Sequence, residues 1–175
     1  MSRTHANRGA GFEGLLTDLH YLYEKQGRCS VFRTPPSMKI LSALRGKPGQ
    51  FICCYAGSGP PDFIAQAEGR SFIFEAKSCG GTSWSFDEMP IHQAERFDAH
   101  VKHGAIAFVL VLIEGRVYLM PWATLGPRWW AWHRTIGRAK PGFASVKPKE
   151  EPWISPCRDC DWLPQALALP LPASS

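Results

Sequence analysis

The sequence has no long apolar run. Its longest, Ala105–Ile113, is far shorter than the roughly 20 residues that a helix needs to cross a bilayer. No apolar leader is expected either, since Met1–Gly11 is polar and lacks the hydrophobic stretch of a signal peptide. Its six cysteines are therefore expected to stay reduced inside a cell, which excludes a secreted disulfide scaffold. Cys157 and Cys160 have zinc-knuckle spacing, but no second Cys/His pair follows them. A closed structural zinc site takes four ligands, so free thiols are expected there. No internal repeat is visible, and 175 residues allow one domain with a real core. Twenty basic against 15 acidic residues give a formal charge of +5. That excess is compatible with a polyanionic partner without establishing one.

What the sequence does contain is an acidic hairpin. Pro61-Asp62-Phe63-Ile64-Ala65 and Ser71-Phe72-Ile73-Phe74-Glu75-Ala76-Lys77 read as two short strands. Gln66-Ala67-Glu68-Gly69-Arg70 reads as the turn between them. Side chains alternate along a strand. Ile73, Glu75 and Lys77 thus share one face, while Phe72, Phe74 and Ala76 share the other. The phenylalanines can enter a core while an acid and an amine stand side by side opposite, and Asp62 approaches from the neighbouring strand. Two carboxylates in a small space repel unless protonated, paired or bound to a cation. Oxygen-only ligands suit Mg²⁺ or Mn²⁺. On this motif alone, a metal site and a surface hairpin with an ordinary Glu–Lys pair stand level.

The rest of the chain surrounds the hairpin with alternating elements. Phe12, Leu15, Leu16, Leu19, Leu22 and Tyr23 recur at helical spacing, and Gly27 ends that helix. Glu13, in its first turn, either complements the helix macrodipole or reaches the metal site. Cys29–Arg33 reads as a short strand that Thr34-Pro35-Pro36-Ser37 breaks. Met38–Leu44 is ambiguous between helix and strand; Arg45–Gly49 is a basic loop and Phe51–Ala56 a strand. A second helix is expected with Ser85 or Asp87 as its cap and Pro90 in its first turn. Its apolar stripe is Ile91, Ala94, Phe97 and Val101, and Gly104 stops it. His92 and Gln93 can point back towards the hairpin, although such residues usually only cap or face solvent. Ala105–Ile113 is the central strand, buried on both faces. Val117–Met120 follows after a turn. Trp122–Trp132 is expected to pack its tryptophans on the sheet, with base stacking as the less favoured alternative. Beyond Ile136, prolines and lysines without periodicity predict a segment that wraps the surface or is partly disordered. The element order predicts a mixed α/β sheet with helices packed on it.

Asp62, Glu75 and Lys77 in this arrangement resemble the PD-(D/E)xK nuclease superfamily. Within it, the chain resembles the RecU-like Holliday junction resolvases. Asn7-Arg8-Gly9-Ala10-Gly11-Phe12-Glu13 is similar to that family's N-terminal Asn-Arg-Gly and helix Glu. Thr34-Pro35-Pro36 is similar to its Pro segment, Pro61-Asp62-Phe63 to its metal-binding Asp, and Phe74-Glu75-Ala76-Lys77 to its Phe-Glu-Ala-Lys strand. Thr82-Ser83 with Phe86, Ile91-His92-Gln93, Gly104 and Phe108–Ile113 continue the order up to about Trp122. One departure stands out: the family's long stalk before the catalytic Asp is replaced here by the short segment Ser37–Gly59, which marks a compact, phage-type relative. The Trp-rich C-terminal part has no matched counterpart.

The resemblance implies a restriction-endonuclease-like mixed β-sheet flanked by helices. It implies a Mg²⁺-dependent endodeoxyribonuclease, with Mn²⁺ substituting, that resolves four-way junctions in recombination and repair. Asp62, Glu75 and the Ala76 carbonyl would hold the metal, and Lys77 would position or activate water. Glu13 would support a second metal or its waters, and Gln93 would orient water or phosphate. Arg8, Arg33, Lys39 and Lys47 would contact phosphates. A homodimer suits two symmetric cuts. No membrane and no small-molecule cofactor are implied, and the expected setting is the cytoplasm of a bacterial or phage-infected cell, at the nucleoid. The expected organisation is a flexible basic arm over 1–10, a nuclease domain over 11–135 and a Pro-rich extension over 136–175. The rival readings are a nuclease of other specificity, restriction-like or exonucleolytic, and an inactive DNA-binding recombination accessory protein.

Overall fold

The computed structural model describes residues 5–57, 59–135 and 144–172, and the side chains of residues 5–10 lie outside that description. The first helix, α1, spans His5–Lys25. It begins inside the stretch read as an arm, because an apolar stripe reports only the turns that face the core. Gly27, at φ +64°, closes it. The Arg28 N–H donates to the Tyr23 carbonyl at 2.9 Å and the Gly27 N–H to Glu24 at 3.1 Å, the paired bonds of a Schellman cap. Phe12, Leu16 and Tyr23 are the buried stripe, whereas Leu15 and Leu22 of the expected stripe are exposed.

Five strands build the main sheet: β1 (Ser30–Arg33), β4 (Phe63–Ala67), β5 (Arg70–Cys79), β7 (Ile106–Ile113) and β8 (Arg116–Pro121), in the order β1-β4-β5-β7-β8. All neighbours are antiparallel except β5 and β7, which are parallel. A parallel pair needs a crossover, and helix α2 (Ile91–Lys102) supplies it. The expected caps Ser85 and Asp87 do not start this helix. Ser85 pairs in a two-residue strand, Phe86–Glu88 forms a 3₁₀ turn, and extended Pro90 is the N-cap. The stripe holds at Ala94 and Phe97, but Ile91 is exposed. Gly104 stops the helix at φ +88°.

Alternation on the strands divides the core into two layers. Phe72, Phe74, Phe108 and Leu110 pack on one face, under α1. Ile73, Val109 and Val111 pack on the other, under α2 and α3 (Trp122–His133). Phe63, Phe74 and Phe108 stack across β4, β5 and β7, with ring centroids 4.9 Å apart at each step. Trp122 and Trp129 are buried against the sheet, as the packing reading of the Trp-rich stretch requires.

Met38–Leu44, left open between helix and strand, resolves as a strand, β2 (Met38–Ala43), paired with β3 (Phe51–Tyr55) in a separate exposed ribbon. The described part of 136–175 does more than wrap the surface. Strand β9 (Ser145–Val146) pairs with β6 (Trp84–Ser85), and the short helix α4 (Leu163–Leu167) seals the α1 side of the sheet. Trp162 is fully buried there among Phe74, Phe108, Tyr23 and His20, and its indole N–H donates to His20 Nε2 at 3.1 Å. One helical turn gives no periodicity to read, so composition alone misjudged this segment. Neither Cys157 nor Cys160 is in a disulfide. Among the described residues no helix is long and apolar enough to cross a membrane.

Candidate active site

The register of the hairpin assembles the site. Phe63 pairs with Phe74 as the last rung between β4 and β5, which sets Asp62 beside Glu75. The Asp62 N–H donates to Glu75 Oε1 at 3.3 Å. In return the Ala76 N–H donates to Asp62 Oδ2 at 3.1 Å. The two acids are thus locked to each other's backbones at the point where the strands diverge. Beneath them the Phe63–Phe74–Phe108 stack fixes the strand spacing.

Lys77 and Gln93 complete the cluster. Lys77 Nζ donates to Glu75 Oε2 at 3.2 Å and to Gln93 Oε1 at 2.9 Å. Gln93 Nε2 donates to the same Glu75 Oε2 at 2.5 Å. Gln93 lies in the first turn of α2, which starts at Ile91, and from there its amide meets Glu75 and Lys77 of β5. Every polar atom of the Gln93 amide is therefore aimed at the β5 pair.

Glu75 is only 1% exposed. Burial pushes its carboxyl up to about 8; the Lys77 ammonium opposes that shift and the Asp62 charge adds to it. A buried carboxylate beside a second carboxylate, with one ammonium bonded to the first, lacks positive charge. A divalent cation would supply it. Among the described residues no group of three or more His, Cys, Asp or Glu could hold a metal. What the site offers instead is the paired carboxylates of Asp62 and Glu75. It fits a hard cation that keeps several waters and takes further oxygens from phosphate.

Asp62 and Gln93 line a cavity of about 300 Å³, together with Glu13, Arg33, Thr34 and His92. Glu13 is in the cavity, but its carboxylate is held by the Arg33 guanidinium rather than by the β5 cluster. Arg33, on β1, is exposed at the rim; Lys39 and Lys47 are exposed on the ribbon and in its turn. The Arg8 side chain lies outside the described residues. Sequence reasoning gave Thr34 no part, yet its N–H and hydroxyl hold the segment that carries Asp62. The signals in the sequence are its place between a strand and two prolines and the similarity of Thr34-Pro35-Pro36 to the family's Pro segment. His92, which the sequence allowed to point back towards the hairpin or simply to cap or face solvent, lines the cavity.

Comparison with known proteins adds ancestry to this geometry. Among solved structures, that of Archaeoglobus fulgidus Hjc, a Holliday junction resolvase from an archaeal hyperthermophile, aligns with a TM-score of 0.40 and 18% identity, over 65% of this chain and 76% of that one. Among curated proteins, the Holliday junction resolvase RecU of Bacillus pumilus (strain SAFR-032) is 26% identical over 122 residues, 67% of this chain. The chain spans 60% of that relative's length. The family profile of RecU, recombination protein U, matches residues 7–150, which include Asp62, Glu75, Lys77 and Gln93. The chain belongs to the RecU family.

Proposed function

We propose that this chain is a divalent-metal-dependent DNA endonuclease that resolves four-way junctions by phosphodiester hydrolysis. The observation that carries the reading is the interlocked Asp62–Glu75–Lys77–Gln93 cluster, in which a buried carboxylate stands beside a second acid and a single ammonium. Asp62, Glu75 and the Ala76 carbonyl would hold Mg²⁺, with Mn²⁺ substituting; when bound, the ion polarises a phosphoryl oxygen and acidifies a water. Lys77 orients the attacking water and faces the negative charge that develops on the phosphate. Gln93 braces both Lys77 and Glu75. Glu13, released from Arg33, would reach waters of a second ion. Arg8, Arg33, Lys39 and Lys47 would bind phosphates and carry no sequence information.

A homodimer would place two such sites for paired cuts on a two-fold junction. The catalytic unit is proposed to span residues 11–135, with the C-terminal residues 144–172 as its structural support. Its work in recombination and repair would take place in the cytoplasm, at the nucleoid. A second reading, a nuclease of other specificity, draws on the shortness of the β2–β3 ribbon, six and five residues long. A labelled mobile junction, a flap and a linear duplex, each incubated with purified protein with and without Mg²⁺, test both. Symmetric Mg²⁺-dependent nicking confined to the junction supports resolution. Equal cutting of duplex supports the second reading, and no cutting of any substrate in Mg²⁺ or Mn²⁺ refutes both.

A further inference from the structure

We infer that Thr34 is a positioning residue for the metal ligand Asp62, setting the affinity of the site for its divalent cation. This inference rests on the reading of Asp62 as a ligand. The segment that delivers Asp62 is Pro60-Pro61-Asp62. Pro61 has no N–H, so it cannot be fixed by its own donor. It is held through its carbonyls instead. The Thr34 N–H donates to the Asp62 carbonyl at 2.9 Å. The Thr34 hydroxyl donates to the Pro61 carbonyl and lies 3.3 Å from the Asp62 carbonyl. One side chain thus spans the two peptide groups on which the Asp62 Cα hangs.

Thr34 is itself fixed from both sides. It follows directly on Arg33, which pairs with Phe63 across β1 and β4. It precedes Pro35, and a residue before proline is confined to extended backbone. Its hydroxyl therefore occupies a set place, and it transmits the position of the β1 edge to Asp62. The Asp62 N–H and carboxylate are tied to β5, through Glu75 and Ala76. Together the two strands leave the Asp62 carboxylate little freedom. Pro61 is buried, and without the hydroxyl its carbonyl loses the side-chain donor that fixes it. The segment would shift, and the carboxylate with it. Groups that orient metal ligands through hydrogen bonds typically change metal affinity by about 10- to 100-fold when removed.

The test compares Thr34→Val, which keeps size, β-branching and the N–H but loses the hydroxyl, with Thr34→Ser, which keeps the hydroxyl. Mn²⁺ binding without DNA is measured by calorimetry, the Mg²⁺ dependence of junction cleavage by single-turnover assay, and folding by thermal melting. Thr34→Val is expected to weaken Mn²⁺ about tenfold and to raise half-saturating Mg²⁺ by a similar factor, with the rate recovering at saturating Mg²⁺. Thr34→Ser is expected to stay near wild type. A purely structural role would lower the melting temperature and leave Mn²⁺ affinity unmoved, which overturns the inference, as does a Thr34→Ser protein as weak as Thr34→Val. Should Thr34→Val not fold, Thr34→Ala takes its place against Thr34→Ser; both lack the methyl, so equal affinities overturn the inference. A wild-type protein that binds no Mn²⁺ overturns the metal reading itself, whereas wild-type binding with unaltered variants overturns only the role of Thr34.

Discussion

Replacing Trp162 with Phe should show that the C-terminal segment is part of the core. Trp162 is fully buried, and its indole N–H donates to His20 Nε2 at 3.1 Å. Its ring lies 4.9 Å from Phe74 and 5.5 Å from Phe108, both strands' inward-facing residues next to the site. Phe keeps most of the apolar volume and removes the donor. It leaves His20, itself 6% exposed, with an unpartnered nitrogen. The expected cost is about 1–3 kcal/mol, and Trp162→Ala, which adds a cavity, should cost about 3–5 kcal/mol or more. A domain of this size has only about 5–15 kcal/mol to lose.

The burial of His20 carries a pH signature. Burial lowers the His20 pKa from 6.5 to about 4, so the folded protein holds this imidazole neutral. The unfolded chain takes up the proton first. His20 therefore contributes its full stability above pH 6.5 and loses it as pH falls towards 4, roughly 3 kcal/mol in all. His20→Gln should flatten that part of the profile, while the carboxylates keep titrating in both proteins. Urea unfolding at a series of pH values between 4 and 8 measures both effects. A Trp162→Phe midpoint equal to wild type, with no difference in pH slope between wild type and His20→Gln, would refute the packing argument.

Asp62→Asn should abolish cleavage and spare junction binding, because it removes a ligand charge at constant size; near-wild-type cleavage would remove Asp62 from the site. Gly126→Ala should destabilise the fold by about 1–3 kcal/mol, measured by urea unfolding. A Cβ there would stand 2.8 Å from the Trp122 ring, which cannot swing away because its N–H is bonded to Asp98 at 2.6 Å.

How much of this was legible beforehand depended on whether a residue's partner lay in its own pattern. The split of Phe72, Phe74 and Ala76 from Ile73, Glu75 and Lys77 was legible because strand alternation has a fixed period of two. Ala105–Ile113 announced a two-sided central strand by the absence of any polar side. The stripe on α1 was legible only in part, since Leu15 and Leu22 are apolar yet exposed. Contacts made by one or two residues left no trace. The β6–β9 pairing involves two residues on each side. Trp162 sits before a single turn of helix. Glu13 was read either as complementing the helix macrodipole or as reaching the metal site; α1 starts at His5, so Glu13 is not in its first turn, and its pairing with Arg33 is a contact that no local pattern encodes. Thr34 was read as a strand breaker, because only the pairing of β1 with β4 brings it to Pro61.

The central claim is that Glu75-Ala76-Lys77 is a catalytic strand and not a hairpin edge. Lys77 tests it most directly. Its ammonium, bonded to Glu75 and Gln93 and mostly buried, has no lone pair to offer a metal, so its part must be towards water or phosphate. Single-turnover cleavage of a four-way junction in Mg²⁺, set beside junction binding in Ca²⁺, separates rate from affinity. Lys77→Ala should lose rate by roughly 10²-fold or more while binding changes little, because many other cations share the phosphates. An undiminished rate from Lys77→Ala would contradict the account.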